Sequence, residues 1–269
     1  NHFEKVAHQL TDHARGRSGQ RAVDLKIALP DDEQLEVPVQ KLLGYSLNPD
    51  HPDGKDKAKL FSDLLGIDGN QWRYLAYQLV DNLEHSQLER TRVTDHGIQY
   101  SAFVQVLGLN QKTFTVETGW IIRDAGPAQL VTAFPAKKVK QRGDPATFPP
   151  WVSEAINGPE RWQAIYTVAC QCADRAATAC VPTPMQIDGF ELELEGMCGG
   201  ASIRLDGHGD FARWLVRQGH GSESYGDGVQ ISAIVGSQSI DRAKAYAKTF
   251  SRVLWLNGVD GAVVECYLS

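Results

Sequence analysis

Between Leu88 and Pro135 four strand-like segments follow one another almost without a break: Leu88–Thr94, Ile98–Leu107, Lys112–Arg123 and Gln129–Pro135. Apolar and polar residues alternate along them, the two-residue period of a half-buried strand. Asp95-His96-Gly97 and Asn110-Gln111 lie between segments and accept tight-turn geometry, so neighbouring segments should pair as hairpins. Four strands joined in this way form an antiparallel meander whose apolar face must be covered by another layer.

The cover stands upstream. Lys55–Gly66 places Ala58, Phe61, Leu64 and Leu65 at helical spacing and stops at a glycine. A second helix is expected over roughly Gly69–Glu84, with Trp72, Leu75, Leu79 and Leu83 as its apolar stripe. Before these come a polar, helix-like N-terminal arm and two short alternating segments, AVDLKIALP and LEVPV, that read as strands. Helices followed by a meander define an α+β domain.

Residues Ala136–Trp151, AKKVKQRGDPATFPPW, are basic, then rich in Gly and Pro, and carry no periodicity. They suit a surface linker, so we expect a first domain over 1–136, a linker over 137–151 and a second domain over 152–269. The second reads as a small α/β-layered module. It has a helix near Pro159–Ala177 and strands at Phe190–Glu195 and Ala201–Leu205. An Asp-capped helix at Asp210–Gln218 follows, then a closing β-α-β over Val229–Val235, Ser239–Asn257 and Ala262–Leu268.

The chain has 269 residues and a net charge of −6. Residues 1–150 hold 18 Lys and Arg against 19 Asp and Glu, whereas residues 151–269 hold 9 against 14. A broad electrostatic grip on nucleic acid is therefore disfavoured, and any such site would be local and in the first half. No apolar run approaches the ~18 residues of a membrane span. The N-terminal stretch lacks the apolar core of a secretory signal, so a cytoplasmic protein with no membrane partner is expected. The five cysteines, Cys170, Cys172, Cys180, Cys198 and Cys266, all fall in the second half and suit reduced thiols. Cys170 and Cys172, two apart on a helix, point ~200° apart and are poorly placed to chelate one ion.

Leu43–Gly66, LGYSLNPDHPDGKDKAKLFSDLLG, is the segment densest in ionisable groups. Asn48-Pro49, His51-Pro52 and Asp53-Gly54 are turn formers, so a tight loop with a helix cap explains part of it. Asp50, His51 and Asp53 lack a fourth ligand for a metal, and no cofactor motif is present. A third reading makes His51 a general acid or base and lets Lys55 or Lys57 neutralise a phosphate at the helix N-terminus. In the second half, Ser222 and Ser224 lie near His220 and Asp227, but a nucleophilic triad needs convergence in space rather than in sequence.

Several motifs here recur together. Lys41-Leu42, Tyr45, Leu47-Asn48-Pro49, His51-Pro52, Gly54, Lys57-Ala58, Phe61 and Leu65-Gly66 are followed by Gly97 and Tyr100. Trp120-Ile121-Ile122-Arg123, Gly126 and Leu130-Val131-Thr132-Ala133-Phe134-Pro135 complete the series. In this order Val37–Pro135 resembles the bacterial domain of unknown function DUF6883. Two departures stand out: Asp95-His96-Gly97 replaces a tyrosine-glycine, and Ala128-Gln129 replaces a proline-arginine pair, removing a positive charge. The layout of that domain is similar to compact bacterial ribonuclease toxins. The resemblance implies catalytic roles for His51, Lys57 and Thr132, with Lys55, Tyr100 and Arg123 positioning an RNA phosphate without metal. Through Phe211-Ala212-Arg213-Trp214-Leu215, Gln218-Gly219, Gly221-Ser222, Tyr225, Gly228-Val229 and further positions from Gly236 to Val259, Gly196–Leu268 resembles an uncharacterised module of phage and plasmid proteins.

The expected function is a nucleic-acid-linked effector, a metal-independent ribonuclease-like toxin domain with an accessory interaction module. The competing expectation is a phage or mobile-element inhibitor or adaptor whose acidic second half engages a basic protein partner.

Overall fold

The computed structural model describes residues 35–83, 89–123, 126–136, 149–186 and 192–269. The N-terminal arm, the AVDLKIALP segment, Leu88, residues 137–148 of the expected linker and Phe190–Glu191 lie outside the described residues. The chain divides into two compact units between Pro149 and Pro150.

In the first unit, strand β1 (Leu35–Glu36) leads into a short helix α1 (Val39–Lys41), which widens at once into a π-helical turn, Leu42–Ser46. Helix α2 (Lys55–Leu65) buries Ala58, Phe61 and Leu65, and stops because Gly66 takes the left-handed conformation at φ 66°. A capping box between Asp68 and Gln71 starts a 3₁₀ turn that runs into α3 (Trp72–Asp81). The expected apolar stripe on α3 is wider than its spacing suggests: every residue from Tyr74 to Val80 is buried. Gln78 survives there because its amide donates to the Leu107 carbonyl (3.1 Å) and accepts from the Leu107 amide (2.8 Å).

The meander forms as β2 (Glu89–Thr94), β3 (Gly97–Leu107), β4 (Thr113–Ile122) and β5 (Ala128–Pro135). The sheet has a fifth member. β1 pairs in parallel with β5 through Leu35↔Ala128 and Glu36↔Gln129, giving the order β1-β5-β4-β3-β2. Cross-strand register sorts the side chains into two faces. Ala102, Val104 and Val106 of β3, Val116, Thr118 and Trp120 of β4, and Leu130 and Ala133 of β5 form the buried face. Ser101, Phe103, Glu117, Gly119, Thr132 and Phe134 project from the other. A bulge between Gly119 and Trp120 adds Val131 to β5 and resets its alternation beside Thr132.

The second unit contains helix α4 (Gly158–Ala179), strand β6 (Gly199–Asp206), helix α5 (Asp210–Gln218), strands β7 (Ser222–Ser224) and β8 (Gly228–Ser232), helix α6 (Ile240–Leu256) and strand β9 (Val263–Leu268). From β6 onwards the order is β-α-β-β-α-β, and the antiparallel sheet runs β7-β8-β6-β9. This is the split β-α-β, ferredoxin-like connectivity, with α4 added in front. Ile165, Ala169, Ala173 and Ala177 line α4 at four-residue spacing, and Ala243, Ala247 and Phe250 on α6 share their core. Small side chains on both helices let them pack closely.

Two expectations change here. Leu192–Glu195 is not a strand: Glu193 makes an isolated bridge to Met185, and the chain then turns. Arg242 explains why. Its guanidinium grips Glu195 at 2.8 and 2.9 Å, and donates to the carbonyls of Ala177, Thr178 and Cys180 at the end of α4. The segment is thus held as a strap over a helix C-terminus. Asp210 is not the cap of α5. Gly209 occupies that position, and Asp210 instead accepts from Arg213 at 2.6 Å.

Candidate functional site

The widened turn at Leu42–Ser46 and the start of α2 meet, and Gly54 allows it. A β-carbon at Gly54 would lie 2.2 Å from the Tyr45 carbonyl oxygen, so a side chain there would push the two apart. π-helical turns of this kind recur at functional sites. This one presents Tyr45 to the third residue of α2, Lys57.

The Lys57 ammonium donates to the Tyr45 hydroxyl at 2.7 Å and to Thr132 Oγ1 on β5 at 2.9 Å. It also sits 4.2 Å from the centre of the Tyr45 ring and 5.4 Å from that of Phe134. Its described partners are two neutral hydroxyls and two aromatic faces, and among the described residues no carboxylate lies within ion-pair distance. Three elements thus fix a partly buried positive charge that no described carboxylate neutralises. Such a charge attracts an anion.

His51 packs edge-on against Tyr45, with ring centres 5.0 Å apart. Its Nδ1 accepts from the amides of Asp53 and Gly54, both at 3.1 Å, so it ties together the turn that leads into α2, whose N-cap is Gly54. With Nδ1 accepting, the ring proton of the neutral imidazole sits on Nε2. In this arrangement His51 can donate a hydrogen bond to an anion, but it holds no lone pair free to take a proton.

The other residues singled out in the sequence do not join this cluster. Lys55 is exposed, and two positions from Lys57 it points ~200° away around α2. Tyr100 pairs with Trp120 on β4, whereas Thr132 pairs with the adjacent Gly119, so Tyr100 and Thr132 leave opposite faces of the sheet. Arg123 donates to Gln129, which in turn donates to the buried carboxylate of Glu36. Gln129, at the position where the resemblance implied an arginine, relays between an acid and a base instead of supplying charge. Asp50 and Asp53 are exposed, and among the described residues no three His, Cys, Asp or Glu side chains form a metal-binding set.

Tyr45 belongs to the recurrent motif, yet its role is not legible there. A phenol reads as core or as functional until its partner is known.

In the second unit a cleft of about 450 Å³ opens between α5 and the β7–β8 hairpin. Arg213 and Arg217 stand on the helix side, and Glu223 and Asp227 on the hairpin side. Its charges are balanced, and Arg213 is already paired with Asp210. The residues of the would-be triad do not assemble. His220 stacks on Tyr166, with ring centres 4.2 Å apart, and tilts against Trp214, while Ser224 donates to Gln230. None of the five cysteines is in a disulfide. Burial pushes the Cys170 thiol up, against the pull of hydrogen bonds with Tyr246 and Tyr166, which disfavours its thiolate. Burial also pushes Tyr166 up to about 12. No described helix is long and apolar enough to cross a membrane.

Residues 28–137 match the family model of DUF6883, a domain of unknown function. The match embraces Tyr45, His51, Lys57 and Thr132, so the whole charged cluster lies inside the DUF6883-like region. No curated protein and no solved structure matches the chain.

Proposed function

We propose that the DUF6883-like unit grips the phosphodiester backbone of RNA at Lys57 and promotes its cleavage without a metal ion. The observation that carries this reading is the Lys57 ammonium, held by Tyr45 and Thr132 with no described carboxylate paired to it, and with His51 packed on the Tyr45 ring. A phosphate placed there meets one full positive charge. Against it lies the Tyr45 hydroxyl, whose proton is free because its oxygen accepts from Lys57, and His51, packed edge-on against the Tyr45 ring, has Nε2 left as its donor. Donors fixed in advance around a phosphorus centre stabilise the extra charge of a five-coordinate transition state.

The nucleophile is supplied by RNA itself. The 2′-oxygen bonds to phosphorus and the bond from phosphorus to the 5′-oxygen breaks, leaving a 2′,3′-cyclic phosphate and a 5′-hydroxyl. The 2′ proton passes to solvent, and solvent returns one to the departing oxygen. In this account His51 orients and donates rather than shuttling protons. The second unit serves as an accessory interaction module.

The test is cleavage of a labelled RNA in excess EDTA by the wild type and by Lys57→Met. Products ending in cyclic phosphate, lost in the variant, support the reading. An intact RNA with no measurable binding to the wild type would overturn it.

A further inference from the structure

Beside Lys57 one face of the first sheet carries a row that meets the phosphate site only at Phe134, the ring under the Lys57 ammonium. Register places Phe103 of β3, Glu117 of β4 and Phe134 of β5 directly abreast on one face. The row next to it is Ser101, Gly119 and Thr132 on the same face. Phe103 is 51% exposed, an unusual state for a phenylalanine in the middle of a strand. Glu117 and Phe134 are partly buried.

Two features mark this as a surface built to receive something. Gly119 stands within a central strand, where glycine costs stability and gives nothing to packing. A β-carbon there would press on Thr132 Cγ2 at 3.1 Å, so glycine keeps a notch open between Ser101 and Thr132. On the far side of the notch Glu117 is a carboxylate with aromatic neighbours on both sides across the strands.

We propose that this row is a base pocket specific for guanine, next to the phosphate held at Lys57; the inference rests on the RNA-directed reading above. A planar base stacks on Phe103 or Phe134, as unpaired bases do on exposed aromatic rings. Glu117 then reads its edge. Guanine presents two adjacent donors, N1–H and N2–H, that a carboxylate accepts together. Cytosine and adenine offer one amino group beside an acceptor, and uracil offers one N–H between two carbonyls that Glu117 would repel. Counting donors selects guanine. Glu117 lies two residues along β4 from Gly119, which faces Thr132, a separation of roughly 7 Å. A single nucleotide spans from one point to the other, and the negative charge of Glu117 keeps the phosphate on the Lys57 side.

The test uses fluorescence anisotropy with uncleavable 2′-O-methyl hexanucleotides: all-uridine, and the same strand with one central G, A or C. The wild type should bind the G strand roughly tenfold tighter than the others, the discrimination expected of one bidentate contact. Glu117→Gln should abolish the preference for the G strand and bring the four affinities together. Phe103→Ala should weaken all four. Equal wild-type affinity for all four strands, lost in Lys57→Met, would overturn the guanine pocket and leave the phosphate site standing. So would a G preference that survives in Glu117→Gln. Binding of none of them by the wild type would overturn both.

Discussion

Arg242 in the second unit and Lys57 in the first are held in opposite ways. In the second, Arg242 is closed by Glu195 and three carbonyls, Arg213 by Asp210 and Arg204 by Glu265. In the first, Lys57 is held by two neutral hydroxyls and two rings. A charge answered from within is architecture, and removing it should leave RNA binding unchanged. A charge held in place but left unanswered is prepared for something from outside, and removing it should disturb binding first.

The contrast breaks most visibly at Lys57. Lys57→Met should cost roughly 10²–10³-fold in RNA cleavage, the usual loss when one fixed donor to a developing charge is deleted. A gel assay reads the cleavage, and a thermal melt should show the fold retained. Arg213→Met, in an exposed and already paired position, should leave both untouched. Asn257 gives the converse case. It accepts from the Val152 amide at 2.7 Å and donates to the carbonyls of Pro150 and Val253, and it is almost fully buried. Asn257→Ala strands these groups and should destabilise the second unit by about 1–3 kcal/mol in a denaturant titration, with no change in RNA handling.

Thr132→Val keeps the shape of the site and removes one acceptor from Lys57. RNA binding should weaken roughly tenfold, the worth of one hydrogen bond to a charged group. The smallest effect belongs to the strap on α4. Arg242 holds the Glu195 carboxyl below its ordinary value of 4.5. Stability from this pair is therefore present above that value and lost as pH falls through the lowered one. Glu195→Gln should melt earlier than wild type at neutral pH, and the difference should vanish in acid. Equal melting temperatures at neutral pH would make the strap incidental.

How much of this was readable from the sequence depended on the range of the interactions. The meander was legible because alternation and turn residues are local signals, and α2 because Ala58, Phe61 and Leu65 recur at helical spacing before Gly66. β1 escaped as a partner of β5 because a two-residue parallel pairing leaves no periodic trace. The strand expected near Phe190–Glu195 failed over its described part for a long-range reason: Arg242, some fifty residues on, claims Glu195. At the candidate site, the loop and the motif drew attention to His51, Lys57 and Thr132 together. That Lys57 bonds Thr132 directly, and that Tyr45 completes the contact, required folding. The grouping of Tyr100 with Thr132 was natural for two residues on strands of one sheet. The register across β3, β4 and β5 separates them, because one residue of offset reverses the face. Gly119 was visible as a glycine inside a strand, but only the rows on either side of it show what it leaves room for.

The most direct test is a titration of the protein, ¹³C-labelled on its lysine side chains, with an uncleavable RNA dinucleotide. Lys57→Met assigns the Lys57 signal. We expect that signal to move saturably, with the same affinity as the binding isotherm, while the signal of exposed Lys59, already paired with Asp63, moves far less. RNA binding that leaves the Lys57 signal in place would contradict the account.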